Sequence, residues 1–447
     1  MNLKKIKIDN EKIISTLDVL LPFIFGMIYL IWSRYIVIGG GDDEFMRYDI
    51  ARYIYDNRKL PWVDDPVLCS SNIWGISYAN RPMLSFVISA VFMWISAAFG
   101  YTDEFSLMYA ARLTSVLSSV VTIIFLIKIS EKIGLKSRYL LPICFGLIPE
   151  FAFLSGYVNS DSLAIMSVAM TIYFWYTGLE SAWDRKSIIG ITISLAICMA
   201  SYQNVYGFIL VSGILFLVSS FIISKNGGRK FSKAFLIGLG IIAAVLVLSG
   251  WWYLRNAIHY GGDFSGREAM HRMAEQYAVP ELKPSNKQSL YEQGVSVMTM
   301  LFPMGWISGS MYSVIGNFRI FEGNDVQLQI YSFLIKAVLV IIALGVIAYS
   351  VKVIRECIKH KSDKGSNIMD IHLLLGAFIV VLLSFIYSYF DDFQLAGRYI
   401  VPALIPVLIW FSRGAEYALK KFPPIVERIT FLVIVIIFSS LNLMSLN

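Results

Sequence analysis

The stretch LDVLLPFIFGMIYLIWSRYIVI, residues 17–38, runs without a break into GGGDDEFMRY, residues 39–48, and the two together decide how the chain is to be read. The first part is long and apolar enough to cross a bilayer, which takes roughly 20 mostly apolar residues. The second begins with three glycines, which let the chain turn sharply as it leaves the helix. Three acidic residues follow, Asp42, Asp43 and Glu44. Ionised carboxylates are costly in hydrocarbon, so this turn marks a membrane boundary.

Working outward, apolar runs recur at 83–100, 106–130, 139–156, 162–179, 188–204, 206–223, 234–254, 331–351, 371–390, 399–412 and 426–443. Of the 447 residues 57% are hydrophobic and 15% charged. Soluble domains have more charge and less apolar content, so an ordinary soluble enzyme is excluded. A signal peptide has only a short apolar core, whereas the run from about Leu17 to Ile38 is long enough to span, so it reads as an uncleaved first helix. The fold expected is all-α: a single polytopic domain over 1–447 with about 11 transmembrane helices and surface helices in its outer loops.

The net charge of +7 does not point to nucleic acid, because the basic residues lie in short loops between apolar runs. Lys4, Lys5 and Lys7, Lys132, Lys136 and Arg138, Arg185 and Lys186, Lys225 to Lys233, Lys352 to Lys364, and Arg413 to Lys421 form these groups. Taken as cytoplasmic, they put the N-terminus inside a cell membrane, and they put the loops 39–82 and 255–330 outside. Between 39–82 and 131–138 the chain must cross an odd number of times, yet two apolar runs lie there. Runs 83–100 and 106–130 are therefore expected to make one net crossing. The outer loops carry charge, aromatics, Pro and Gly, whereas the inner ones are short and merely basic, so the chemistry is expected outside.

Cys69, Cys144, Cys198 and Cys357 form no CxxC pair, and His259, His271, His360 and His372 are scattered, so no metal motif is read. Walker, Rossmann, GxSxG and HExxH patterns are absent. What remains lies at outer span ends. The Asp42-Asp43-Glu44 turn can supply a general base, or else merely a solvated cap. Asp161, in Asn159-Ser160-Asp161-Ser162, is a second acidic site or a turn residue. Arg81, Arg112, Arg255 and Arg398 recur at outer boundaries, where positive charge is normally depleted. As a set they suggest a phosphate-binding rim.

The order of these pieces resembles the membrane-embedded glycosyltransferases of the C superfamily, in the branch of protein O-mannosyltransferases and the lipid A aminoarabinose transferase. Asp43-Glu44 look like that branch's acidic pair after the first span, Arg81-Pro82-Met83-Leu84 like its basic-Pro-Pro-Leu element, and Arg112-Leu113 like its Arg-Leu motif. Asp161-Ser162-Leu163 is similar to its later acidic motif. Leu254-Arg255-Asn256 and Gly397-Arg398-Tyr399 resemble late motifs of bacterial members. The sequence departs at Met83, in place of a second proline, and at Tyr202-Gln203-Asn204, where a lysine is often found. The resemblance implies inverting transfer of a sugar from a polyprenyl-phosphate carrier to an acceptor glycan, lipid or protein. Asp43 and Glu44 would be catalytic, and Asp42, Arg81, Arg112, Asp161, Arg255 and Arg398 would contact substrate. Some relatives use a divalent metal and others do not, so no cofactor follows. The competing reading is a transporter or lipid-linked sugar flippase. Those place ionisable groups at mid-membrane and show internal repeats, and neither is visible here.

Overall fold

A computed structural model describes residues 3–317, 323–359, 364–395 and 397–446. His360, Lys361, part of the 255–330 loop, and the side chains of Lys4, Lys5, Lys7 and Lys364 lie outside the described residues. Among the described residues every regular element is a helix.

The first span is α1 (Leu3–Tyr35), and the acidic turn leads into α2 (Glu44–Asn57). Then come α3 (Leu84–Ala98) and α4 (Glu104–Lys132), the latter capped by the Asp103 side chain on the Ser106 amide. At 1.5 Å per residue α4 is roughly 44 Å long and α3 roughly 22 Å. Only α4 exceeds the roughly 30 Å of hydrocarbon. The ends of α3 stay near α2: Trp94 Nε1 donates to Tyr55 O, and Arg52 on α2 pairs with Glu104 at the start of α4. The 83–130 region thus contains one helix long enough to span and one short helix packed beside it.

A helical pair broken at Leu147–Ile148, α5 (Leu140–Gly146) and α6 (Pro149–Gly156), follows. Pro149 starts α6 and lacks the amide that would continue α5. Next are α7 (Asp161–Glu180), α8 (Arg185–Ser201), α9 (Gly207–Lys225) and α10 (Phe231–Val245). A π-helical turn at Leu246–Gly250 continues α10 into α11 (Trp251–His259). The large loop holds α12 (Arg267–Tyr277) and α13 (Trp306–Gly316). The chain ends with α14 (Asp325–Ile358), α15 (Lys364–Phe390), α16 (Val401–Leu419) and α17 (Pro424–Met444).

Among the described residues eight helical segments are long and apolar enough to cross a membrane. The stretches Leu140–Gly156, α8 and α16 are helical within the bundle but are broken, shorter or interrupted by Arg413 and Glu416. Length and composition alone qualify eight segments among the described residues as spans, and the expected eleven are these eight together with the three stretches just named. Val247 and Ile258 on the α10–α11 segment are more than three-quarters exposed, as expected of side chains on a helix that faces lipid.

Four of the basic loops meet at one end of the bundle. Lys132 pairs with Glu180, Arg229 donates to Trp183 O, and Glu416 accepts from the Ser137 amide. The two outer loops of the sequence reading pack on each other at the opposite end. Trp62 stacks on His259 at 3.8 Å, Tyr260 Oη donates to Asp64, and Val279 N donates to Ile73 O. Gly75, at φ +63, sits where a Cβ would come 2.3 Å from Ala278 N, so the loops touch backbone to backbone there.

Candidate active site

The acidic turn is shaped from beneath by a buried ion pair. Glu44 accepts from Arg112 Nε and Nη2, both at 2.7 Å, from Gly39 N at 2.9 Å and from Val158 N at 3.0 Å. Arg112 also donates to the carbonyls of Ser33, Ile36 and Val37, the orphan acceptors at the end of α1. Both side chains are fully buried. The pair ties α1, α2, α4 and the 157–161 turn to one point. Gly41 is required here, since a Cβ would lie 2.3 Å from the Tyr157 ring.

The turn lifts its other carboxylates toward the surface. Asp43 takes the left-handed conformation, φ 54 and ψ 26, at the start of α2, a region Asp tolerates better than most residues. Its Oδ2 accepts from Tyr78 Oη at 2.7 Å and from Arg398 Nη2 at 3.4 Å. Its Oδ1 accepts no hydrogen bond among the described residues, and the side chain is 29% exposed. Burial alone would raise its pKa, but Arg47, Arg398 and the Tyr78 hydroxyl outweigh it and hold the carboxyl below the usual aspartate value. Asp42 Oδ2 lies 3.0 Å from Arg398 Nη1 but is not aligned as a hydrogen bond, so we read this as a charge contact.

Guanidinium groups surround this turn. Arg398, from the turn before α16, is nearly buried and lies over the Tyr399 ring at 5.0 Å. Tyr399 stacks on Tyr202, and Arg81 lies over the far ring of that pair at 5.3 Å. Arg81 donates to Gln203 Oε1 at 2.9 Å and has no carboxylate within ion-pair reach among the described residues. Arg47, one turn into α2, meets Asp161 Oδ2 at 3.3 Å, with both side chains buried. The Nε groups of Arg47, Arg81 and Arg398 are buried donors without acceptors, the arrangement expected of a site built for an anion.

The structure thus brings Asp42, Asp43, Asp161, Arg81 and Arg398 into one region. Glu44 and Arg112 lie directly beneath it, each occupied by the other and by backbone. Arg255 does not join it: the guanidinium lies 3.6 Å from Trp62 and donates to Leu60 O and Pro61 O, clasping the two outer loops. Sequence reasoning did not single out Arg47, Tyr78, Tyr202 or Gln203. Arg47 lies inside the acidic stretch and Tyr78 three residues before Arg81, but neither spacing announces a partner. Gln203 lies in the Tyr202-Gln203-Asn204 segment before α9.

A divalent metal does not fit these residues. Arg398 contacts Asp42 and Asp43, and Arg47 contacts Asp161. Among the described residues no three His, Cys, Asp or Glu side chains group closely enough to hold an ion.

No known protein family matches the sequence, and no curated protein matches it significantly. The fold is found in solved structures. The archaeal oligosaccharyltransferase AglB from Archaeoglobus fulgidus, in complex with an inhibitory peptide and a dolichol-phosphate, aligns over 97% of this chain and 56% of its own, with 9% identity and a TM-score of 0.54. The apo form of the Archaeoglobus fulgidus oligosaccharyltransferase aligns over 96% and 56%, with 12% identity and a TM-score of 0.55. ArnT from Cupriavidus metallidurans bound to undecaprenyl phosphate aligns over 94% and 62%, with 13% identity and a TM-score of 0.49. The chain therefore spans less than two-thirds of the length of these structures, and what it shares with the oligosaccharyltransferase is the membrane fold.

Proposed function

We propose that this chain is an integral membrane glycosyltransferase that moves a sugar from a polyprenyl-phosphate carrier to an acceptor hydroxyl at the outer face of a cell membrane. One observation carries the reading: a part-exposed carboxylate, Asp43, follows the first span beside buried guanidinium groups whose Nε donors are unmet. The fold shared with an oligosaccharyltransferase that was solved with a dolichol-phosphate supports a lipid-phosphate donor.

In this reading Arg398 and Arg81 take the phosphate of the carrier, and Asp43 Oδ1 faces the acceptor. The acceptor oxygen attacks the anomeric carbon as the bond from that carbon to the phosphate oxygen breaks. The electron pair leaves on the phosphate, where the guanidinium groups stabilise the growing charge. The hydroxyl proton passes to Asp43, and the configuration inverts. A carboxylate with a lowered pKa is a weak base, so Asp43 acts first by orienting the hydroxyl and accepts the proton late. Tyr78 and Arg398 hold its other oxygen, which fixes Oδ1 in direction. Arg47 holds Asp161, while Glu44 and Arg112 act as positioning residues under the turn.

The test is transfer by the purified chain from a panel of radiolabelled polyprenyl-phosphate sugars, with Asp43→Asn beside it. Product that depends on Asp43 supports the proposal. Passage of intact donor across liposomes without product would make the chain a lipid transporter.

A further inference from the structure

At the end of the bundle opposite the acidic turn lies a second cavity, of about 600 Å³. Its origin is a close helix crossing. A Cβ on Gly414 would lie 1.7 Å from Gly345 O, and one on Gly345 would lie 2.5 Å from the Phe411 ring. Thus α14 and α16 touch at backbone distance there. Beyond that point the same face of each helix lines the cavity, α14 with Tyr349, Lys352 and Glu356 and α16 with Arg413, Glu416 and Lys420, at the three- and four-residue spacing of one helix face.

The closed end is neutral and internally satisfied. Arg413 donates to Asp370 Oδ1 at 2.9 Å and to Tyr349 Oη at 2.7 Å, and Tyr349 donates to Asp370 Oδ2 at 2.9 Å. Glu416 is occupied by the Ser137 amide. Lys352 and Glu356 stand 3.8 Å apart. Lys136, Lys420 and Glu427 also line the cavity, and none has an ion-pair partner among the described residues. Open charges of both signs therefore share one chamber. Two of its walls are the ends of candidate membrane spans, Asp325–Ile358 and Pro424–Met444, so the chamber lies where the apolar part of each span begins.

We infer that this cavity binds the headgroup of a zwitterionic phospholipid, with its phosphate on Lys136 and Lys420, its ammonium on Glu427, and its acyl chains running from the chamber along the two spans. A lining of balanced charge does not draw in a plain anion, whereas a phosphoethanolamine group satisfies both signs. A chamber at the ends of two candidate spans favours a lipid over a soluble phosphate ester.

The full chain, purified and delipidated in detergent, is mixed with phosphatidylethanolamine, phosphatidylglycerol or soluble glycerophosphoethanolamine, and bound ligand is counted by native mass spectrometry. Phosphatidylethanolamine is expected to be retained over the other two. Retention should fall about tenfold in the Lys136→Gln/Lys420→Gln double variant, in which two partly exposed charge contacts are lost. Glu427→Gln should reduce the preference over phosphatidylglycerol, which keeps the argument testable should the double variant fold poorly. Equal retention by wild type and both variants overturns the site. Equal or better binding of phosphatidylglycerol overturns the zwitterion assignment, and equal binding of glycerophosphoethanolamine overturns the lipid assignment.

Discussion

Glu44 and Asp43 are neighbours in sequence but should fail in opposite ways. Glu44→Gln keeps the shape and removes the charge. Each carboxylate oxygen accepts two of the four donors, Oε1 from Arg112 Nε and Val158 N, Oε2 from Arg112 Nη2 and Gly39 N. Whichever oxygen becomes an amide, two donors then face a donor, and the buried Arg112 charge loses its counterion. Breaking a fully buried pair from one side costs roughly 3–5 kcal/mol, or about two to three and a half orders of magnitude in the folding equilibrium. The three carbonyls that Arg112 also holds favour the lower end. Asp43→Asn touches a side chain that is 29% exposed, where a charge contact is worth about 0–1 kcal/mol. It should stay folded and lose about 10²–10⁴-fold in transfer rate. The assay is thermal stability in detergent by fluorescence-detected size exclusion, with transfer rates normalised to folded protein. A stable, inactive Glu44→Gln beside an active Asp43→Asn would refute the reasoning and put the chemistry one residue later.

Four further expectations follow from the same geometry. Arg398→Lys should raise KM for the lipid donor or lower kcat by at least about tenfold, because lysine cannot bridge Asp42, Asp43 and a phosphate together; Arg428→Lys, an exposed residue, is the control, since Arg413 is held in a buried pair, and unchanged donor kinetics would remove Arg398 from the site. In a background with the exposed Cys357 replaced by Ser, a cysteine at Ser265 should react with an impermeant thiol reagent outside intact cells and one at Asn226 should not; the reverse pattern inverts the topology. The lowered pKa of Asp43 keeps it ionised through its ordinary titration range, and its share of stability and rate is lost only as pH falls through the lower folded value, so kcat/KM should not decline between pH 7 and 5 through this residue, and a decline there that Asp43→Asn abolishes would contradict the assignment. EDTA should leave kcat unchanged within about twofold, since guanidinium groups stand where a cation would; loss restored by a divalent ion would overturn that reading.

The sequence by itself determined the class of the protein. Roughly 20-residue apolar runs have few other homes than a bilayer, and a Gly-Gly-Gly-Asp-Asp-Glu exit from the first of them marks a boundary whatever the fold. It also placed Asp42, Asp43, Arg81, Asp161 and Arg398 at span ends, because depth in a membrane is a one-dimensional property that hydropathy reports. What it could not assign was which boundary charges face each other, since that depends on how helices pack sideways, and lateral packing leaves no period in the sequence. Only the tertiary structure set Arg112 under Glu44, drew Arg255 away to Trp62, and put Arg47 on Asp161 across more than a hundred residues. The same limit applies to the short α3: its apolar content reads like a crossing, and only the tertiary structure packs it beside α2, with Trp94 bonded to Tyr55 O and Arg52 pairing to Glu104 just past its end.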